Sequence, residues 1–195
     1  MFTGIIERKG TVTSIRKEGT NVRFSIRSAI GSELRVDQSV AHNGVCLTVT
    51  AVQGDVHEVV AIDETLRKSS LGSLQEGSTV NLERCMAANG RFDGHIVQGH
   101  VDTTGVVAAV HDRDGSWQFD FRFPAEFSTL IVEKGSICIN GVSLTCFNCG
   151  TDGFSVAIIP YTWEHTTFRD LRPGDVVNLE FDIVGKYVRR LMAGA

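Results

Sequence analysis

Two short stretches carry the side chains best suited to chemistry. Asn43-Gly44-Val45-Cys46-Leu47-Thr48 presents a thiol, and Asn140-Gly141-Val142-Ser143-Leu144-Thr145 presents a hydroxyl at the same place in the same motif. A thiol with a reference pKa of about 8.5 is a far better nucleophile or base near neutrality than a serine hydroxyl, so the two copies are chemically unequal. Gly99-His100-Val101-Asp102 adds an imidazole, which takes and returns protons near neutral pH. Asp182 offers a carboxylate suited to cap a helix beginning beside it. Each group also has a plainer reading. A cysteine in an apolar strand is usually a small core residue, and a histidine beside glycine, such as His95, is usually a hydrogen-bonded structural group.

These residues belong to an internal repeat. The Asn-Gly motifs lie at an offset of 97, and Thr65, Leu74, Gly77 and Val80-Asn81-Leu82-Glu83 return at that offset as Thr162, Leu171, Gly174 and Val177-Asn178-Leu179-Glu180. Nearer the front, Gly4-Ile5-Ile6-Glu7 and Gly10 align with Gly99-His100-Val101-Asp102 and Gly105 at an offset of 95, which sets Ile5 against His100. Register held this long marks two structural units. They are read as residues 1–88 and 89–182, with a helical tail over 183–195.

The elements that must position the reactive groups are strands. Val22, Phe24 and Ile26 alternate with polar neighbours, as do Trp117, Phe119, Phe121 and Phe123, the period of half-buried strands. Asn-Gly before each motif is a turn feeding a strand, because both residues tolerate positive φ. About six short strands per copy would leave open edges unless the sheet closes, so the expected fold is all-β: two tandem six-stranded antiparallel Greek-key barrels. One short helix per copy is expected where Ile30 and Leu34, and Phe127 and Ile131, stand at i, i+4, with Pro124 in a first turn. Ile183, Val184, Tyr187, Val188, Leu191 and Met192 line one face of a C-terminal helix that should dock on something, a neighbouring subunit included.

Composition narrows the partners. The chain has 195 residues, 42% of them apolar and 22% charged, with a net charge of −4. Lys and Arg are scattered, which argues against nucleic acid. No apolar run reaches the roughly 20 residues of a spanning helix, and the start lacks a signal-peptide pattern, so no membrane association and a cytoplasmic location are expected. Five cysteines with no export signal read as free thiols. Cys146 and Cys149 form a C-x-x-C, read as two thiols flanking a turn.

Met1-Phe2-Thr3-Gly4-Ile5-Ile6-Glu7, the two Asn-Gly motifs, Gly94-His95 with Gly99-His100-Val101-Asp102, and Ile159-Pro160-Tyr161-Thr162-Trp163-Glu164-His165-Thr166-Thr167 together resemble the riboflavin synthase family. The resemblance runs over essentially the whole chain. It implies a reaction between two identical molecules of 6,7-dimethyl-8-ribityllumazine. A four-carbon unit passes from one to the other, giving riboflavin and 5-amino-6-(ribitylamino)pyrimidine-2,4-dione without metal or redox cofactor. It implies a homotrimer whose sites form between the first barrel of one subunit and the second barrel of another, with lumazine synthase as a further associated protein.

The resemblance and the repeat together assign three strand segments to each pocket. The first takes Gly4-Ile5-Ile6, Cys46-Leu47-Thr48 and Val60-Ala61-Ile62-Asp63-Glu64-Thr65; the second takes Gly99-His100-Val101, Ser143-Leu144-Thr145 and Ala157-Ile158-Ile159-Pro160-Tyr161-Thr162. Lys134 is added as a polar contact, and Phe2 either as a stacking lid or as a plug for the barrel end. Cys46, His100, Ser143 and Asp182 are the catalytic candidates, with the division between base and nucleophile left open. Asn140 stands where many relatives carry Asp, so any role needing a charge there is in doubt. Two rivals remain: a light-emission antenna protein of the same fold that only binds lumazine or flavin, and a ferredoxin-reductase-type flavin barrel. The second lacks support, because neither an Arg-x-Tyr-Ser/Thr motif nor a nucleotide domain is present.

Overall fold

The computed structural model describes residues 1–194. The first barrel comprises β1 (Arg8–Glu18), β2 (Asn21–Ser28), β3 (Ser39–His42), β4 (Val45–Gln53), β5 (Val56–Ala61) and β6 (Thr79–Arg84), with α1 (Asp63–Lys68) after β5. The second comprises β7 (Thr103–Asp112), β8 (Trp117–Arg122), β9 (Ser136–Ile139), β10 (Val142–Phe147), β11 (Gly153–Ile158) and β12 (Val176–Phe181), with α2 (Pro160–His165) after β11. Helix α3 (Ile183–Met192) ends the chain. Each sheet closes, in the order β1-β2-β5-β4-β3-β6 and, equivalently, β7-β8-β11-β10-β9-β12. Register shifts at Val12/Ser14 in β1 and Val107/Ala109 in β7 fall at matching points of the repeat. An extra residue there bends the strand, which helps so small a sheet curl shut.

Alternation fills the two barrels differently. Val12, Phe24, Ile26, Val49, Val59 and Leu82 pack the first, while Phe119, Phe121, Phe154, Phe168 and Phe181 give the second an aromatic core. Where the second barrel has Ile139 and Phe154, the first buries His42 and His57, whose Nε2 atoms lie 2.8 Å apart. His42 Nδ1 lies 3.1 Å from its own strand's Val40 carbonyl. Donating there leaves Nε2 to accept from His57, so both rings are neutral. Burial, reinforced by the cost of placing a second positive charge beside His57, lowers His42 to about 3; burial lowers His57 to about 4.

The barrels meet about a pseudo-two-fold axis on which buried asparagines trade hydrogen bonds. Asn81 donates from Nδ2 to the Asn140 carbonyl at 2.9 Å, and Asn178 donates to the Asn43 carbonyl at 2.8 Å. Their Oδ1 atoms accept from the backbone N–H of Thr167 (2.8 Å) and Ser70 (2.6 Å). Gly44 and Gly141 touch at the axis, where a Cβ on either would lie within 3 Å of the other's backbone nitrogen. Asn140 therefore has a neutral role: its Oδ1 accepts from Asn178 N–H at 2.8 Å, which needs no charge.

The helix expectation needs correction. Ile30, Leu34 and Ile131 are buried as their spacing suggests, but their segments close as 3-10 turns at Gly31–Glu33 and Ala125–Leu130, and Pro124 is an extended cap. The α-helices instead follow β5 and β11, in stretches expected to be strand. Pro160 at the first turn of α2 was the available signal, since its fixed φ suits that position.

Replacing Asn178 with Ala leaves the Asn43 carbonyl and Ser70 N–H buried without partners, and urea unfolding should show a loss of roughly 2–5 kcal/mol. The His42–His57 pair sets a pH dependence. Both folded-state pKa values lie below the unfolded value of about 6.5, so the unfolded chain binds more protons from pH 6.5 down to about 3. The pair's contribution is complete above pH 6.5 and is lost as the pH falls through that window. The double variant His42→Ile, His57→Phe should flatten the acid side of the melting-temperature profile.

Candidate active site

Ahead of each barrel's first strand runs an extended segment that leaves its own barrel and lies on the other. Phe2 and Val97, equivalent by the repeat, pair with each other through Phe2 N–H to Val97 O (2.7 Å) and Val97 N–H to Phe2 O (3.1 Å). Beyond this crossing, Ser143 N–H on β10 donates to Gly4 O at 2.8 Å, and Cys46 N–H on β4 donates to Gly99 O at 2.8 Å. Positive φ at Gly4 (+78°) and Gly99 (+77°) allows that approach; an added Cβ would fall 2.6 Å from the Cβ of Ser143 or Cys46.

Two buried carboxylates hold the segments in place. Glu83 accepts from Thr3 N–H (2.7 Å), Thr3 Oγ1 (2.9 Å) and Gly4 N–H (3.0 Å). Glu180 accepts from the N–H groups of Gln98 (2.7 Å), Gly99 (2.9 Å) and His100 (3.0 Å). Burial raises the pKa of both carboxyls, and the converging N–H donors work against that rise.

The first pocket, about 250 Å³, is lined by Val45, Cys46, Glu64, Thr65, Lys68, Ser69, Gly99, His100 and Val101. A thiol from the first barrel and an imidazole from the second repeat thus share one cavity. Burial pushes the Cys46 thiol up, partly offset by the Ser39 hydroxyl, so it is held in the protonated form at neutral pH. His100 is exposed at the mouth.

The second pocket, about 650 Å³, is lined by Ile5, Asp93, Gly94, Lys134, Ser136, Ser143, Leu144, Thr145, Phe147, Ala157, Ile159 and Thr162. Ser143 Oγ lies 2.6 Å from His95 Nδ1. Burial lowers the His95 pKa and the Asp182 charge partly restores it, so the ring is neutral at pH 7 and can take the Ser143 proton. Lys134, in the left-handed region at φ 64°, places Nζ 5.6 Å from the Phe147 ring centre. The repeat sets Asp37 (φ 70°) against Lys134 and Thr50 against Phe147, and neither Asp37 nor Thr50 lines the first pocket, so the Lys134–Phe147 pair belongs to the second alone. A groove of about 580 Å³ between the barrels, lined by Asn43, Ser70, Asn140 and Thr167 among others, holds neither thiol nor imidazole.

The geometry exchanges the two crossing segments relative to the sequence assignment. Ile5 lines the second pocket, and Gly99, His100 and Val101 line the first. Ile6 packs on the second barrel's core and Val101 on the first's. Cys46, Glu64 and Thr65 do gather in one pocket, as do Ser143, Leu144, Thr145, Ala157, Ile159, Thr162 and Lys134 in the other. Phe2 lines neither; it is fully buried at the junction with Ala41, Val97 and Cys138. Leu47, Ala61 and Ile158 are core residues. Thr48, Ile62, Asp63, Pro160 and Tyr161 are exposed and Val60 half-buried, none of them in a pocket wall. Asp182 caps α3, accepting from Val184 N–H at 2.9 Å, and reaches the site through its charge on His95.

Several functional residues escaped the sequence reading. His95 reads in the sequence as a structural group, and nothing in their local motifs marks Asp93, Ser136, Phe147 or Lys68. Glu83 and Glu180 had a signal: a charged residue repeated inside the otherwise apolar Val-Asn-Leu-Glu strand.

A lumazine binding domain model matches residues 3–85 and again 98–182. Over 98% of the chain and 90% of the relative, it is 41% identical to the riboflavin synthase of Bacillus amyloliquefaciens. Identity to that of Mycobacterium tuberculosis is 44% over the whole of both chains. The chain belongs to the riboflavin synthase family. The crystal structure of LumP complexed with riboflavin, 24% identical, superposes with a TM-score of 0.86 over 93% of this chain and 99% of that one, and so shares the riboflavin synthase fold.

The crossing makes a testable demand. Gly99→Ala, although it lies in the second repeat, should lift the segment off Cys46 and raise the alkylation rate of that thiol by about tenfold, while Gly4→Ala leaves it unchanged. Rates are read by iodoacetamide labelling and peptide mass spectrometry.

Proposed function

We propose that this riboflavin synthase family chain catalyses the dismutation of two 6,7-dimethyl-8-ribityllumazine molecules into riboflavin and 5-amino-6-(ribitylamino)pyrimidine-2,4-dione. The observation that carries the reading is the pair of repeat-related pockets with unequal chemistry, one with Cys46 and His100, the other with Ser143, His95 and Lys134. A reaction between two copies of one molecule needs two cavities of one kind, and a donor–acceptor division needs them to differ. Holding the two rings together replaces a rare bimolecular encounter and can supply roughly 7–11 kcal/mol of the barrier.

Within this reading, the lumazine 7-methyl group is acidic because its carbanion delocalises into the ring. Neutral His95 takes the Ser143 proton, and the Ser143 oxygen, or a water it orients, activates the ring in the larger pocket. His100 stands at the first pocket's mouth to receive or return the methyl proton, and Cys46 backs the ring there. Lys134 supplies a positive charge toward ring carbonyls or the ribityl chain. Asp182 tunes His95 and caps α3.

Residues 1–88 and 89–182 then form the two lumazine-binding units, each completed by the other's crossing segment. Helix α3 docks through Lys186 Nζ on Asp102 Oδ2 at 2.6 Å, yet leaves Val184, Tyr187, Leu191 and Met192 exposed. That uncovered stripe supports a homotrimer in which α3 meets neighbouring subunits and pockets of different subunits face each other. Five free thiols support a cytoplasmic location. Association with lumazine synthase would bring substrate to the site. Among the described residues, no helix is long and apolar enough to cross a membrane.

With lumazine alone, the protein should produce yellow riboflavin fluorescence, one riboflavin per two lumazines; an unchanged lumazine spectrum over hours would favour the antenna reading. His95→Gln and Ser143→Ala should each lower kcat by about 10²–10⁴-fold. Because the base works when neutral and its pKa is depressed, the acid limb of kcat should lie below pH 6.5. Asp182→Asn, which removes the opposing charge, should move that limb further down.

A further inference from the structure

Cys146 and Cys149 take no part in either pocket's wall, yet the fold brings them together. Cys146 on β10 is fully buried in the second barrel's core. Asn148, at φ 51°, turns the chain back so that half-buried Cys149 packs against the same cluster. Cys149 thus shares the core cluster that holds Cys146, three residues away across the turn, and its N–H donates to Glu133 Oε2 at 3.2 Å. The first barrel places Val49 and Val52 at the equivalent positions, so the thiol pair belongs to the second repeat alone.

We propose that Cys146 and Cys149 form a reversible disulfide by exchange with a low-molecular-weight disulfide, and that this closure controls the second pocket. Cys149, the accessible thiol, gives up its proton and attacks one sulfur of the small disulfide. That S–S bond breaks, a mixed disulfide forms and one small thiol leaves with a proton. Cys146 then attacks the mixed disulfide at the Cys149 sulfur and releases the second small thiol, which carries off the Cys146 proton. Two protein thiols are oxidised and one small disulfide is reduced to two thiols. Burial and the Glu133 charge hold the Cys149 thiol up, so exchange is slow at neutral pH and quickens as the pH rises.

The route to the pocket is the backbone of Cys146. Its carbonyl accepts from Lys134 N–H and its N–H donates to Gly135 O, both at 2.9 Å. Lys134, Ser136 and Phe147, which flank these bonds, line the second pocket. A disulfide confines its two Cα atoms to roughly 4.4–6.8 Å and fixes its dihedral, so closure constrains the strand end that carries Phe147 and, through the Cys146 backbone bonds, the turn that carries Lys134. A pair of this kind in a reducing compartment would be transient and redox-sensing.

The effect on turnover rests on the riboflavin synthase reading; the pairing itself does not. The full-length chain is incubated with oxidised glutathione between pH 7 and 9, then assayed for free thiols, disulfide-linked peptides and riboflavin formation. Two of the five thiols should be lost faster at higher pH, with one link joining Cys146 to Cys149. Turnover should fall several-fold and return with dithiothreitol. Cys149→Ser should abolish both the link and the inhibition, and Glu133→Gln should accelerate them. Glutathione remaining on Cys149 without an internal link overturns the pairing. A complete link with unaltered turnover overturns the control, as does inhibition that persists in Cys149→Ser, which would point to Cys46. Absence of riboflavin formation in the untreated protein instead counts against the catalytic reading, while the thiol count still scores the pair.

Discussion

Everything in the site depends on two buried carboxylates, one in each barrel, that anchor the extended segment leading into their own barrel while it lies against the other barrel. Glu83 and Glu180 each collect N–H donors from the segment leading into their own barrel. A buried carboxylate is costly without partners, and charge-assisted bonds from backbone N–H groups offset that cost. Held at one end by its own barrel, each segment then lies on the other barrel's Cys46 or Ser143 strand. The buried asparagine exchange on the same axis keeps the barrels from sliding, because any shift would strand backbone polar groups without water.

That arrangement converts a duplicated sequence into two unlike cavities. The repeat alone would give each pocket its own glycine-led segment. Exchange of the segments instead sends His100 to the thiol and Ile5 to the serine, while the joint between barrels carries His95 to Ser143. The first pocket thereby takes an imidazole into its wall, and the second has one hydrogen-bonded to its serine. Lys134 adds a cation to the second wall, while its repeat equivalent Asp37, at the same left-handed backbone position, lies outside the first. Duplication supplies likeness of shape, and a few divergent side chains make the two linings chemically unequal.

Much of this was legible in the residues. The offset of 97 and the period-2 alternation specify two closed barrels, and the Asn-Gly motifs mark the strands that carry Cys46 and Ser143. The partition of the pockets was not legible, because an offset says which residues are equivalent but not which barrel each one touches. His95 was passed over because its neighbour in space, Ser143, lies 48 residues away. The helices after β5 and β11 were missed because six residues are too few to display a helical period, and β-rich flanks extended the strand reading across them. For Phe2 the sequence leaves a stacking lid and a barrel-end plug both open, and its burial with Ala41, Val97 and Cys138 at the junction gives it a packing role.

The account's central claim is that one chain holds two lumazine-type rings in related but unequal cavities. Equilibrium titration with a lumazine analogue that has hydrogen in place of the 7-methyl group, and so cannot react, tests it most directly. Two sites per chain with distinct affinities are expected. A single site per chain, or two sites of equal affinity, would contradict it.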